Sequence, residues 1–136
     1  MNASDIALQA KLQADNGAGG VATLAINGTH KIVAPQTTPT PYLTFQNVSS
    51  VEEYTFKVLS KIRCVYLLKA YMDGLDWDTP QAIIERARAL LFDASWSVPG
   101  YEVESRSTNQ FDTQEDVDGK PCAVTVAYIN LEMMPA

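Results

Sequence analysis

The side chains able to do chemistry are few and scattered along the 136 residues. His30 is the sole histidine, set in the short predicted strand His30-Lys31-Ile32-Val33. No Gly-x-Ser-x-Gly elbow supplies a nucleophile for it to activate. A lone histidine in a strand is far more often structural than a general base, so no catalytic residue is assigned. Cys64 and Cys122 lie far apart without a Cys-x-x-Cys spacing, and with one histidine they are too few soft ligands for zinc. Both are expected to be reduced core cysteines, because a free cysteine behaves as a small hydrophobe. The stretch Asn16-Gly17-Ala18-Gly19-Gly20 is glycine-rich but lacks the following Gly-Lys-Ser/Thr of a phosphate loop. Asp112 to Gly119 has a faint likeness to a calcium loop, without the register, the distal glutamate or flanking helices. No catalytic, cofactor or metal site is therefore expected, and the chain is read as a non-enzyme.

What remains is charge arranged for contact. Lys57, Lys61 and Arg63 share one face of a predicted strand, while Glu102 and Glu104 share the exposed face of another. Two accounts fit: cross-strand ion pairs on a wet sheet, weak individually, or a basic face meeting an acidic one between subunits. Asp112, Glu115, Asp116 and Asp118 fall in the polar connection Ser107 to Lys120, a candidate loop for a partner or a channel. Loops longer than about 12 residues are often binding elements. Sixteen acids against ten bases give a net charge of −6, and seven acids against two bases fall from Gly100 onward. That balance disfavours a basic stripe for nucleic acid. At 46% hydrophobic and 19% charged residues the composition is that of a globular domain, expected to be a single one over residues 1–136. The longest apolar stretches are too short to cross a bilayer, and the N-terminal residues lack a signal-peptide pattern. Synthesis and use in a cytoplasm, without a membrane, is the expectation.

The elements that must position these residues follow from periodicity. Ser4 or Asp5 is expected to cap a first helix whose apolar face is Ile6, Leu8, Ala10 and Leu12, ended by Asn16 to Gly20. Val21 to Gly28 fits either a short strand or a packed turn. His30 to Val33 predicts a short strand that leads into an extended crossing loop, Ala34 to Pro41, whose three prolines cannot sit in a central strand. Tyr42 to Val48 predicts a strand, with Ser49-Ser50 beginning a turn. Tyr54 to Leu68 alternates with period two, placing Phe56, Val58, Ile62, Cys64 and Tyr66 inward and Lys57, Leu59, Lys61 and Arg63 outward. Asp78 or Thr79 with Pro80 starts a second helix, and Ile83, Ile84, Ala87, Leu90 and Leu91 form its stripe. Trp96 to Gly100 is a turn, Tyr101 to Arg106 alternates with Tyr101 and Val103 inward, and Cys122 to Met133 is a closing strand. The expected fold is α+β: an antiparallel β-sheet with two α-helices packed on one face and a long β-hairpin loop.

The segment Ile32 to Gln46 carries a resemblance. A short strand, then Ala34-Pro35-Gln36, a spacer, Pro41-Tyr42 and an alternating strand ending in Gln46 resembles the tail-terminator (tail-completion) proteins of long-tailed bacteriophages. The order of helices and strands around it matches over most of the chain, with Lys69 to Trp77 and Ser107 to Lys120 longer than that pattern. The resemblance implies a structural virion protein at the head-proximal end of the tail, assembled in the host cytoplasm. It implies a homo-oligomeric ring, a hexamer, that caps the tail tube protein, stops its polymerisation and joins it to a head-tail connector or neck protein. DNA would slide through such a ring without specific binding, which an acidic lining favours. A head-completion or neck protein is the alternative within the same assembly.

Overall fold

The structure, a computed structural model, describes residues 3–35, 37–93 and 96–136. In chain order its elements are α1 (Ala3–Ala14), α2 (Val21–Leu24), β1 (Thr29–Lys31), β2 (Tyr42–Thr55), β3 (Val58–Asp73), α3 (Asp78–Leu91), β4 (Tyr101–Val117) and β5 (Lys120–Pro135). The strands form one sheet in the order β1-β2-β3-β5-β4. The class is α+β, but the sheet is mixed and three helices accompany it, where an antiparallel sheet with two helices was expected. The parallel pair is β1 with β2, Thr29 opposite Leu43 and Lys31 opposite Phe45. Parallel neighbours cannot be joined by a tight turn. The proline-bearing segment 32–41 therefore carries the chain back from the level of Lys31 to Tyr42, which explains its extended, donor-poor sequence. Gln36, part of the quoted resemblance, lies outside the described residues.

The core follows from β3. Ile62, Cys64, Tyr66, Leu68 and Ala70 alternate inward, and the register sets them beside Met133, Leu131, Ile129 and Ala127 of β5. Leu8 and Leu12 of α1, Val21 of α2, and Ile83, Ile84, Ala87 and Leu91 of α3 join the same buried cluster. Burial of such side chains contributes about 1.5–3 kcal/mol each. The α3 stripe is as the 3.6-residue spacing predicts. Its start is capped earlier than expected: Trp77 is the N-cap residue, and the Asp78 N–H donates to Asp76 Oδ1 at 3.0 Å. In α1 only Leu8 and Leu12 of the predicted face are buried, while Ile6 is 54% exposed. Ser4 and Asp5 are not caps. They sit inside the helix and are buried, because the Tyr66 hydroxyl donates to Asp5 Oδ1 at 2.6 Å and hydrogen-bonds Ser4 Oγ. The ambiguous stretch from Val21 is one helical turn, its first N–H donated to Asp15 Oδ2 at 2.8 Å.

Two strands are longer than their sequences suggested. Ser49-Ser50 is not a turn but part of β2, paired with Val65 and Cys64 just after a register shift between Asn47 and Ser49 that leaves Val48 unpaired. The chain turns at Phe56-Lys57, so the single predicted strand Tyr54 to Leu68 is the end of β2 and most of β3. β3 stops pairing with β5 at Ile62, whereas its pairing with β2 continues to Thr55 and Val58. The difference leaves a two-stranded arm beyond the body of the sheet. Phe56 and Val58, expected inward, are 95% and 67% exposed, because at that level no β5 or helix lies against them.

Ser107 to Lys120, expected as a loop, is mostly strand. Residues up to Val117 belong to β4, paired with β5 from Tyr101–Pro135 to Val117–Lys120, and the turn is only Asp118-Gly119. The strand is acidic and polar for a physical reason. β4 is an edge strand whose core-facing side chains meet the polar flank of α3, not its apolar stripe. Gln81 Nε2 donates to Asp112 Oδ2 at 2.7 Å and an Arg88 Nη to Gln110 Oε1 at 2.6 Å. Arg106 donates to the carbonyls of Asp93 and Trp96, with its guanidinium carbon 5.5 Å from the Trp96 ring centroid.

Candidate interaction surfaces

The predicted basic and acidic faces do meet, within one subunit. Lys61 of β3 pairs with Glu104 of β4 at 3.1 Å and with Glu132 of the intervening β5 at 3.5 Å. Arg63 pairs with Glu132 at 3.3 Å and with Glu53 of β2 at 3.1 Å. The result is a row of charges crossing four strands on the face opposite the helices. Glu104 holds the Lys61 ammonium above its ordinary range, through a hydrogen bond first and Coulomb attraction second. Lys57 and Glu102 are not in this row: Lys57 occupies the β2–β3 turn, and Glu102 is exposed near the start of β4.

The four acids expected in one loop are separated by the strand. Asp112 is spent on structure, accepting from Gln81 and from the Thr125 hydroxyl at 2.9 Å. Glu115 is on the opposite face, 2.9 Å from Lys69 Nζ and 3.5 Å from the Tyr71 hydroxyl. Since Lys69 is on β3 and Glu115 on β4, this pair bridges over β5. Beneath it Cys122, Val124 and Val126 are buried with Leu67, Tyr71 and Val117 around them, a second small core. Burial and the Glu115 carboxylate push the Tyr71 hydroxyl well above its ordinary range. Asp116 and Asp118 are exposed at the end of the hairpin.

The crossing segment lies at that same end of the sheet. Tyr42 is buried and stacks on Tyr71, ring centroids 4.9 Å apart. The Thr40–Pro41 peptide is cis, and the Pro41 carbonyl accepts from the Asn27 N–H at 3.1 Å. Val33, Ala34, Pro35, Thr38, Tyr42, Val117 and Asp118 line a groove of about 400 Å³. Ile32 and Val33 beside it are 57% and 72% exposed.

The remaining reactive types are engaged in structure. His30 Nε2 is 2.9 Å from the Asn27 carbonyl, and its ring stands edge-on to Tyr42. Cys64 and Cys122 are free and buried. Burial, then a hydrogen bond to Asp73, pushes the Cys122 thiol up, away from the thiolate that reacts. Asp5, buried, is held by Tyr66 and by Lys31 Nζ at 3.1 Å. Among the described residues no three of His, Cys, Asp and Glu gather as metal ligands.

Sequence reasoning missed the arm. Tyr54 and Val58 flank its tip and are 60% and 67% exposed, and Phe56 is the most exposed large apolar side chain of the chain's described part. Phe56 and Lys57 form the two-residue turn with φ of 51° and 66°, the left-handed values of a type I′ hairpin. A signal was present in the charges. Glu52 and Glu53 precede Phe56-Lys57 and Lys61 and Arg63 follow it, with Glu53 opposite Lys61 in the ladder. Such mirrored opposite charges mark a hairpin even without the usual Asn-Gly.

No family model matches the chain, and no curated protein matches it. Its fold is similar to that of a chain from the virion of a native gene transfer agent particle. The TM-score is 0.68 at 11% identity, covering 93% of this chain and 91% of that one. A second solved structure, whose name states no function, matches with a TM-score of 0.51 at 13% identity, covering 97% and 98% of the two chains. At these identities the likeness is one of fold.

Proposed function

We propose that this chain is a non-enzymatic virion assembly subunit of a phage-like particle, a tail terminator that rings the end of the tail tube. The observation that carries the reading is the fold shared, over more than nine-tenths of both chains, with a component of a gene transfer agent virion. The resemblance of Ala34-Pro35 and Pro41-Tyr42 to tail terminators narrows it. The surfaces are in keeping. Most titratable side chains that could serve chemistry are bound up in structural contacts, whereas apolar side chains stand out at the arm and beside the crossing segment. In this reading the chain joins copies of itself into a ring, a hexamer, between the tube protein and a head-tail connector. The −6 charge per copy lets DNA pass the lumen without adhering, since like charge repels phosphate. Lys61, Arg63 and Glu104 are paired inside the subunit, which leaves Lys57 and Glu102 as the charges available to a neighbouring copy. Asp116 and Asp118 are the acids available to a partner.

The test is to add the purified protein to polymerising tail-tube subunits and measure tube lengths by electron microscopy. A terminator narrows the length distribution and is found at one tube end. Unchanged lengths, with binding to head-connector rings instead, would turn the assignment to a head-completion or neck protein.

A further inference from the structure

The two ends of the sheet carry complementary features that one subunit cannot bring together. At one end the arm presents Phe56, 95% exposed, with Lys57 beside it in the turn. At the other end the crossing segment and the β4–β5 hairpin form the groove of about 400 Å³, apolar along Val33, Ala34, Pro35 and Val117, with the Asp118 carboxylate on its wall. β3 runs the whole way between them, Val58–Asp73. At about 3.3 Å per residue, 16 residues span roughly 50 Å, so an arm cannot reach its own groove. Among the described residues neither Lys57 nor Asp118 has an ion-pair partner.

We propose that Phe56 and Lys57 at the arm tip dock into the Val33–Pro35/Val117/Asp118 groove of a second copy of this chain. This rests on the self-association in the functional reading above and names its contact. The phenyl ring fills the apolar floor, and the Lys57 ammonium meets the Asp118 carboxylate. The groove volume is at the low end of the about 300–1,000 Å³ that holds small ligands, a fitting size for one aromatic ring with a lysine stem. The backbone supports a purpose for the tip. Two consecutive side-chain-bearing residues hold left-handed φ values where Asn-Gly would sit without strain, and residues held in such conformations cluster at functional sites. Because tip and groove are different surfaces, the contact is heterologous: repeated, it closes into a ring or propagates as a filament.

The test is the mass of the full chain by sedimentation velocity across a concentration series. Wild type is expected to assemble as concentration rises. Phe56→Ser, which touches no core contact, is expected to raise the midpoint concentration at least tenfold with an unchanged circular dichroism spectrum. Lys57→Glu and Asp118→Lys are each expected to weaken assembly, and their combination in one chain to restore it. In a second arm, Phe56→Cys protein is mixed with Val33→Cys protein under mild oxidation, and a crosslinked pair is expected only in the mixture. An assembling wild type whose mass curve is indifferent to Phe56→Ser would overturn the proposed contact while leaving the ring. A Phe56→Ser chain that still forms rings but no longer binds tail tubes would assign the tip to the tube and equally overturn it. A wild type that stays monomeric at every concentration and on tubes would remove self-association itself.

Discussion

At the scale of single residues, a few polar side chains tie the helices to the sheet: Tyr66 to Asp5, Gln81 to Asp112 and Arg88 to Gln110. Tyr66 is the largest fully buried side chain, and its hydroxyl is shared by Ser4 and Asp5 on the first turns of α1. Burial pushes that hydroxyl far above its ordinary range, with the Asp5 hydrogen bond adding to it, which favours the protonated, donating form. Tyr66→Phe keeps the ring but strips Asp5 of a buried donor, and we expect a loss of about 1–3 kcal/mol in urea unfolding. A loss under 0.5 kcal/mol would mean that water replaces the hydroxyl. Asp15 is the pH-sensitive counterpart. Arg86 donates to both its oxygens, at 2.8 and 3.0 Å, and holds the carboxyl below its ordinary 3.8. A folded-state value below the unfolded one means that the contribution to stability is present above the unfolded value. It is lost as pH falls through the folded one. Thermal melts of Arg86→Gln and wild type should therefore differ at neutral pH and converge as pH falls through the lowered folded-state value of Asp15. A gap that persists in acid would show that Arg86 stabilises by packing rather than by charge.

At the scale of elements, what was legible depended on whether an element's partner was apolar. α3 was readable because Ile83, Ile84, Ala87 and Leu91 all face the core. The centre of β3 was readable because Ile62, Cys64 and Tyr66 do the same. The start of β4 was read from the alternation of Tyr101 and Val103, but its continuation to Val117 was hidden because its core-facing Gln110 and Asp112 meet hydrogen-bonding groups of α3, leaving no hydrophobic alternation there. β1 was expected over His30 to Val33 but spans Thr29–Lys31, the chain leaving the strand at Ile32 with φ 66°, and its parallel pairing was not foreseen, since a three-residue strand carries no sign of direction. The arm was misassigned inward because period-two alternation reports that a strand has two faces, not that both levels have something to pack against. Of the candidate site, the pairing of Lys61 with Glu104 was one of two readings the sequence left open, whereas the scattering of the four acids over two faces was not foreseen. The arm also gives the element-scale prediction. Phe56 and Lys57 each bear a side chain at positive φ, which costs roughly 1–2 kcal/mol per residue relative to a permissive one. Phe56→Asn with Lys57→Gly should raise the urea midpoint, by about 1 kcal/mol in stability after allowing for the entropy of the new glycine. Assembly should be lost at the same time. A double variant that is both more stable and fully assembling would detach the strained turn from any docking role.

At the scale of the whole molecule, the arrangement separates charge that is used inside the subunit from charge left for neighbours. The row Glu53, Arg63, Glu132, Lys61 and Glu104 alternates in sign across four strands and compensates most of its own field. Exposed pairs of this kind contribute little individually and are screened by salt. If they serve the fold of one copy, Lys61→Gln with Arg63→Gln should lower the melting temperature slightly and leave the assembly curve in place. Neutralisation is the informative change. Reversal would crowd new carboxylates against Glu53, Glu104 and Glu132, distort the arm and disturb assembly for an indirect reason. Salt then discriminates independently. A contact with one bare pair, Lys57 with Asp118, and an aromatic ring as its main buried surface should weaken by no more than about tenfold between 0.1 and 0.5 M NaCl, because apolar burial is indifferent to screening. A subunit interface built on the charged row would respond far more steeply, and the double glutamine variant would then fail to assemble even at low salt. Light scattering of both proteins over the two salt concentrations separates these outcomes, and loss of assembly in the neutralised variant at 0.1 M would place the charged row, not the arm tip, between copies.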